Sequence, residues 1–195
     1  TTVNVGATGT VQNGIDVSAS GGTVNLAAAT YKLANTVGIN KDVIVRGSGA
    51  GSTTVSGNNA VQVFNIGAGT VALDGMSIVN GSGGTSGGIY NGGTLTIGNS
   101  TLSGNSAQYG GGIYNNGGND GTLTIGNSIV SGNTAPSGRE IQNQSTFTSQ
   151  GYNLFGYSGN SGLLGATPLS TDITPIAALS TLLSALGDYG GPTKT

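Results

Sequence analysis

Short runs of alternating apolar and polar residues, separated by Gly, Asn and Ser, follow one another along most of the chain. Two stretches are near-copies. The first reads Gly88-Ile89-Tyr90-Asn91, then Thr94-Leu95-Thr96-Ile97-Gly98-Asn99-Ser100-Thr101-Leu102-Ser103-Gly104-Asn105. The second reads Gly112-Ile113-Tyr114-Asn115, then Thr122-Leu123-Thr124-Ile125-Gly126-Asn127-Ser128-Ile129-Val130-Ser131-Gly132-Asn133. The Ile-Tyr-Asn element recurs after 24 residues and the Thr-Leu-Thr-Ile element after 28, because Asn116 to Asp120 adds loop residues. Strand-like runs repeating at such a period mark a β-solenoid.

Laid over one another, the repeats align their apolar positions. Val63-Phe64-Asn65, Ile89-Tyr90-Asn91, Ile113-Tyr114-Asn115 and Ile141-Gln142-Asn143 form one line. Val71, Leu95, Leu123 and Phe147 form a second; Leu73, Ile97 and Ile125 a third that decays to Ser149; Ile78, Leu102, Val130 and Leu154 a fourth. Strand side chains alternate in direction, so these positions share one interior while their neighbours face out. The expected fold is all-β, a right-handed parallel β-helix with coils of 24–28 residues and three short strands per coil. Its hand follows the general preference for right-handed crossovers.

Three regions are expected. Residues 1–20, with Val3, Val5, Val11, Ile15 and Val17, read as an N-terminal strand or cap; 21–156 as the β-helix; 157–195 as a wrapping or capping segment. In the last, Ile176, Leu179, Leu182, Leu183 and Leu186 recur at helical spacing behind Pro175, as a short capping helix would. The abrupt start at Thr1-Thr2-Val3 reads as that of a processed or trimmed product.

Composition narrows the function. The chain has 7 acidic and 5 basic residues, a net charge of −2, and no His, Cys or Trp. Nucleic-acid binding needs clustered Lys or Arg, so it is not expected. No apolar run approaches the ~18 residues of a membrane span. Few charges leave little repulsion between copies, which favours self-association. The strand-edged ends of a solenoid suit a head-to-tail homopolymer, with residues 1–20 as a possible donor strand.

Candidate chemistry is sparse. The acids Asp16, Asp42, Asp74, Asp120, Glu140, Asp172 and Asp188 are scattered, roughly one per coil. A carbohydrate-cleaving pair needs two carboxyls within about 10 Å. No catalytic residue, metal or cofactor is therefore expected. Asn119-Asp120-Gly121 reads as an ordinary loop, since Ca²⁺ takes several oxygen ligands. Asn65, Asn91, Asn115 and Asn143 align at a corner, where stacked amides form a structural ladder. Thr94/Thr96, Thr122/Thr124 and Thr146/Thr148 form an outward Thr-x-Thr array that resembles the ice-binding faces of solenoid antifreeze proteins; strand propensity alone is the plainer reading. Phe64, Tyr90 and Tyr114 form an outward aromatic column suited to stacking on sugar rings or to protein contacts, or to being covered by the C-terminal tail.

The Gly-Gly-Ile-Tyr-Asn, Thr-Leu-Thr-Ile-Gly-Asn-Ser and Ser-Gly-Asn elements resemble the repeats of secreted bacterial pectate-lyase-like β-helix proteins, including surface proteins of the polymorphic outer-membrane type. Gly151-Tyr152-Asn153-Leu154-Phe155-Gly156 and the ending Asp188-Tyr189-Gly190-Gly191-Pro192-Thr193-Lys194-Thr195 are similar to the terminal part of such proteins, which carry a separate anchor. The resemblance covers residues 21–195 and implies the fold and export to the cell exterior. It leaves activity open, because one scaffold hosts lyases, adhesins and passive stalks. The expected function is a non-catalytic extracellular structural protein, a surface module or a self-assembling fibre subunit. The alternatives are a glycan-binding adhesin, an ice-binding protein and a degenerate polysaccharide lyase.

Overall fold

The computed structural model describes residues 1–119, 121–157, 159–175 and 177. The runs that alternate in sequence are strands, and the Gly and Asn between them are corners. β1 (Thr2–Val5) and a short helix, α1 (Val11–Val17), precede six three-strand coils. These are β2 (Gly22–Leu26), β3 (Thr30–Lys32) and β4 (Val37–Ile39); β5 (Val43–Arg46), β6 (Thr54–Ser56) and β7 (Phe64–Ile66); β8 (Thr70–Asp74), β9 (Ser77–Val79) and β10 (Ile89–Asn91). Then follow β11 (Thr94–Gly98), β12 (Thr101–Ser103) and β13 (Ile113–Asn115); β14 (Thr122–Gly126), β15 (Ile129–Val130) and β16 (Ile141–Asn143); β17 (Thr146–Ser149), β18 (Leu154–Phe155) and β19 (Leu163–Leu164).

Every third strand stacks in parallel on the one a coil earlier, giving three sheets. The first runs β1-β2-β5-β8-β11-β14-β17, the second β4-β7-β10-β13-β16-β19, and the third β3-β6-β9-β12-β15-β18. The chain is thus a parallel β-solenoid of about seven turns. Parallel strands need a crossover between them, and here each crossover is the rest of a coil.

Register turns alternation into columns. In the first sheet Val24, Val45, Leu73, Ile97 and Ile125 stack inward, beside Val43, Val71, Leu95, Leu123 and Phe147. The second sheet adds Val37, Phe64, Ile89, Ile113, Ile141 and Leu163, and the third Tyr31, Val55, Ile78, Leu102, Val130 and Phe155. Almost all of these side chains are fully buried in one continuous core. Burying each contributes roughly 1.5–3 kcal/mol.

Two lines of the sequence alignment slip by one residue. Ile89 pairs with Phe64, not Val63, so Phe64 faces inward, fully buried, and Asn65 faces solvent. Val130 pairs with Phe155, not Leu154, so Phe155 enters the core against Phe147, with ring centroids 6.2 Å apart, and Leu154 continues the outward line of Ile129. In both places two apolar residues adjoin, so alternation alone does not say which faces in, and a one-residue shift reverses every side chain.

The ends also differ from the simplest reading. Residues 1–20 hold both a strand and a cap: β1 pairs with β2 of its own chain, and α1 buries Val11 and Ile15. The coil pattern also outlasts residue 156, since β19 pairs with β16. The apolar helical spacing at Ile176, Leu179, Leu182, Leu183 and Leu186 lies outside the described residues.

Candidate functional site

The outward positions of the first sheet form the most regular surface. Thr94, Thr122 and Thr146 stand in register, as do Thr96, Thr124 and Thr148. One coil earlier the same positions hold Thr70 and Ala72. Thr94, Thr96, Thr146 and Thr148 are exposed, while Thr122 and Thr124 are half-buried. A side chain branched at Cβ is stiff at χ1, so the hydroxyls and methyls of this face are held in place. Toward the N-terminus the same sheet carries charge, where Arg46 Nε lies 3.3 Å from Asp74 Oδ2.

The aromatic column is shorter than expected, because Phe64 belongs to the core. Tyr90 and Tyr114 remain, half-buried on the outside of the second sheet, with ring centroids 5.8 Å apart and planes 11° from parallel. Tyr109 meets Tyr114 edge-on at 6.2 Å. Asn116 Nδ2 donates to the Tyr90 hydroxyl at 2.7 Å, and the Tyr114 hydroxyl donates to Gln144 Oε1 at 2.6 Å. The facing sides of the two rings cover each other, and both hydroxyls are bonded within the chain. The tyrosines therefore form a stacked pair across two coils, with Tyr109 packed against Tyr114 as well.

The asparagine ladder is present and one residue shorter. Asn91 follows Ile66 in its column, so Asn65 lies outside the ladder. Asn91 Nδ2 donates to Asn115 Oδ1 at 2.7 Å, and Asn115 Nδ2 to Asn143 Oδ1 at 2.6 Å. The same amides bond the Thr122, Gly121, Thr146 and Gly165 carbonyls. Asn91 and Asn115 are fully buried, where an unpaired amide would be costly. The ladder holds the corner.

Two further ladders run through the repeats at positions that the alignment of apolar residues does not single out. At one corner the Gly81 N–H donates to Asn105 Oδ1 (2.8 Å), the Asn105 N–H to Asn133 Oδ1 (3.0 Å), and the Asn133 N–H to Glu140 Oε2 (3.2 Å). Asn133 Nδ2 reaches the same Oε2 at 2.6 Å, and the Gly132 N–H reaches Oε1 at 3.0 Å. At the other corner the Met76 N–H donates to Ser100 Oγ, the Ser100 N–H to Ser128 Oγ, the Ser128 N–H to Asn153 Oδ1, and the Asn153 N–H to Asp172 Oδ1. Ser149 Oγ and the Leu169 N–H donate to Asp172 Oδ2, both at 2.7 Å. Burial pushes the Glu140 carboxyl above its usual range despite these hydrogen bonds and the nearby Arg139 charge. At Asp172 burial pushes the same way, but the bonds from Ser149, Asn153 and Leu169 outweigh it and hold the carboxyl below its usual range.

The remaining described acids also have structural partners. Asp42 Oδ1 accepts the Thr70 N–H, Asp74 pairs with Arg46 and accepts from Asn99, and Asp16 accepts from Gln12. Asp120 and Asp188 lie outside the described residues. Among those described, no three His, Cys, Asp or Glu side chains gather where they could hold a metal ion. A cleft of about 540 Å³ lies between segments 7–13 and 30–37; its lining carries Lys32 and no carboxylate. No helix among the described residues is long and apolar enough to cross a membrane. No protein-family model, curated protein or solved structure matches the chain.

Proposed function

We propose that the protein is a non-catalytic structural module of the cell exterior, a rigid β-helix that works by presenting its lateral faces. The observation that carries this reading is the use made of its carboxylates. Glu140 and Asp172, the two described acids with the most hydrogen bonds, are spent as ends of corner ladders. A glycoside-cleaving site needs a pair of acids facing one substrate, and these two face the backbone. The likeness of the Gly-Gly-Ile-Tyr-Asn and Thr-Leu-Thr-Ile repeats to those of exported β-helix proteins supports an extracellular setting.

Between a single module and a head-to-tail fibre, the N-terminal end favours the module. There α1 covers the core, and the Gln12 side chain occupies the edge of β4: Oε1 accepts the Gly38 N–H at 2.8 Å and Nε2 donates to the Gly38 carbonyl at 3.2 Å. A residue so bonded blocks the edge where another copy would add a strand. For the adhesin reading, the self-stacked Tyr90–Tyr114 pair leaves a narrow platform for a sugar ring.

The test is turnover. Purified protein incubated with pectin and related acidic and neutral polysaccharides is expected to release no unsaturated or reducing ends. Release that is lost in Glu140→Gln or Asp172→Asn, with folding retained, would sink the proposal. Light scattering at high concentration separates module from fibre, with a monomer expected.

A further inference from the structure

We infer that the threonine face of the first sheet is a binding surface for ice. The inference rests on the lateral-display reading above and gives that display a ligand. A surface on which one side chain repeats in two directions is matched by a ligand that is itself periodic in two directions. Along each strand Thr94/Thr96, Thr122/Thr124 and Thr146/Thr148 are two residues apart, and in-register pairing carries both columns across three coils, with Thr70 extending one. Parallel strand geometry sets that net at roughly 6.6 Å along the strand by ~4.8 Å between coils.

The other faces lack this repetition. Outward positions of the third sheet change from coil to coil: Thr54/Ser56, Ser77/Val79, Thr101/Ser103, Ile129/Ser131. The second sheet offers a single outward line of Gly38, Asn65, Tyr90, Tyr114, Gln142 and Leu164.

Three features of the threonine face select frozen water among periodic ligands. It carries no charge over β11, β14 and β17, so it does not suit an ionic mineral lattice. It presents no outward aromatic ring on those strands, so it lacks the stacking platform of a crystalline polysaccharide binder. Each threonine offers one hydroxyl that donates and accepts beside one methyl that does neither, both held by a stiff χ1 on a rigid scaffold. Water ordered over such a surface costs little additional entropy to freeze in place.

The test is ice growth in the presence of purified full chain at millimolar concentration. The wild type is expected to shape ice crystals and to lower the temperature at which they grow, and Thr96→Lys/Thr124→Lys to lose both effects while keeping its circular dichroism and melting temperature. Thr54→Lys, on the third sheet, is expected to keep both. Thr148→Lys, on the last strand of the array, serves if the double variant does not fold. The inference is overturned if the wild type leaves ice growth unchanged, or if Thr96→Lys/Thr124→Lys or Thr148→Lys keeps full activity. It is equally overturned if the same variants abolish binding to crystalline cellulose or chitin, or a dimer seen by scattering, with ice unaffected. A negative ice result with no polysaccharide turnover leaves the non-catalytic reading standing; turnover with ice shaping intact sinks that reading alone.

Discussion

The two ends of the solenoid are closed by different physics. At the N-terminal end a helix does the work: α1 buries Val11 and Ile15 against the first coil, and Gln12 imitates a strand toward β4. Lys41 Nζ then donates to the Ser18 carbonyl just past the helix, at 2.7 Å. Toward the C-terminal end the closing groups are carboxylates. The difference comes from the direction of the corner ladders, in which the N–H of one coil donates to a side-chain oxygen of the next. Such a chain starts with no unmet need, since Gly81 and Met76 contribute only their backbone N–H groups. It finishes at Asn133, whose N–H is met by Glu140 of its own coil and not by a side chain of the next, and at Asn153, whose N–H is met by Asp172. An ionised carboxylate accepts and does not donate, so Glu140 and Asp172 are the side chains able to end the ladders without creating another orphan. An apolar end can be sealed by burial; a polar, directional end needs an acceptor.

The sharpest way to break that contrast is to remove a terminator. Glu140→Ala leaves the Asn133 N–H, one Asn133 amide hydrogen and the Gly132 N–H without their acceptor in a site 1% exposed. Each unmet buried donor costs about 1–3 kcal/mol, so the loss is expected near 4 kcal/mol in denaturant unfolding at neutral pH. Glu140→Gln keeps one oxygen and sets an NH₂ against a donor, for a loss of about 2 kcal/mol. Equal losses in the two variants would mean that Glu140 matters for packing alone.

The gentler counterpart is Gln12→Ala at the other end. It removes two hydrogen bonds from a partly exposed strand edge that water can then reach. The expected loss is about 1 kcal/mol, with faster hydrogen exchange at Gly38 and little change in the Asn133 corner. A loss as large as that of Glu140→Ala would erase the distinction between the ends.

How much of this was legible follows from what repeats. The strands from Ile89 to Val130, the Thr pairs and the Asn91–Asn115–Asn143 ladder recur in every coil they occupy, so alignment finds them. Phe64 and Phe155 do not obey the pattern by inspection, because Val63-Phe64 and Leu154-Phe155 each offer two apolar residues, and the corner geometry decides between them. The helix α1 was hidden by length: seven residues hold only one i, i+4 pair, Val11 and Ile15, and the Thr10 side chain that caps it (Asn13 N–H to Oγ1, 3.2 Å) resembles any other polar residue. Terminators are invisible to repeat analysis by nature, since each occurs once. The one available signal was a break: the second Gly of Gly87-Gly88 and Gly111-Gly112 becomes Glu140 at the third occurrence. A Cβ at Gly88 or Gly112 would run into backbone of the next coil. At the third position, where the next coil brings Gly162, Glu140 supplies the side chain that meets Asn133.

The two terminators should also answer to pH in opposite senses, the smallest effect and the one most specific to the contrast. Burial, the dominant influence on Glu140, holds its folded-state pKa above the unfolded value of about 4.3. The pH-dependent part of its stability is therefore fully present below that value and is lost as pH rises through the raised folded pKa, leaving at neutral pH the hydrogen bonds the carboxylate accepts. Asp172 is also pushed up by its partial burial, but hydrogen bonds from Ser149, Asn153 and Leu169 prevail and hold it below the unfolded value of about 3.9. Its contribution is present above that value and is lost as pH falls through the lowered folded pKa. Melting temperatures of the wild type, Glu140→Gln and Asp172→Asn, followed from acid to neutral pH, read the two separately. The gap between wild type and Glu140→Gln should narrow as pH rises, and the gap to Asp172→Asn should open and then level. If both gaps move together, the ends of the two ladders share one electrostatic environment, and the distinction drawn between a desolvated terminator and a well-bonded one is wrong.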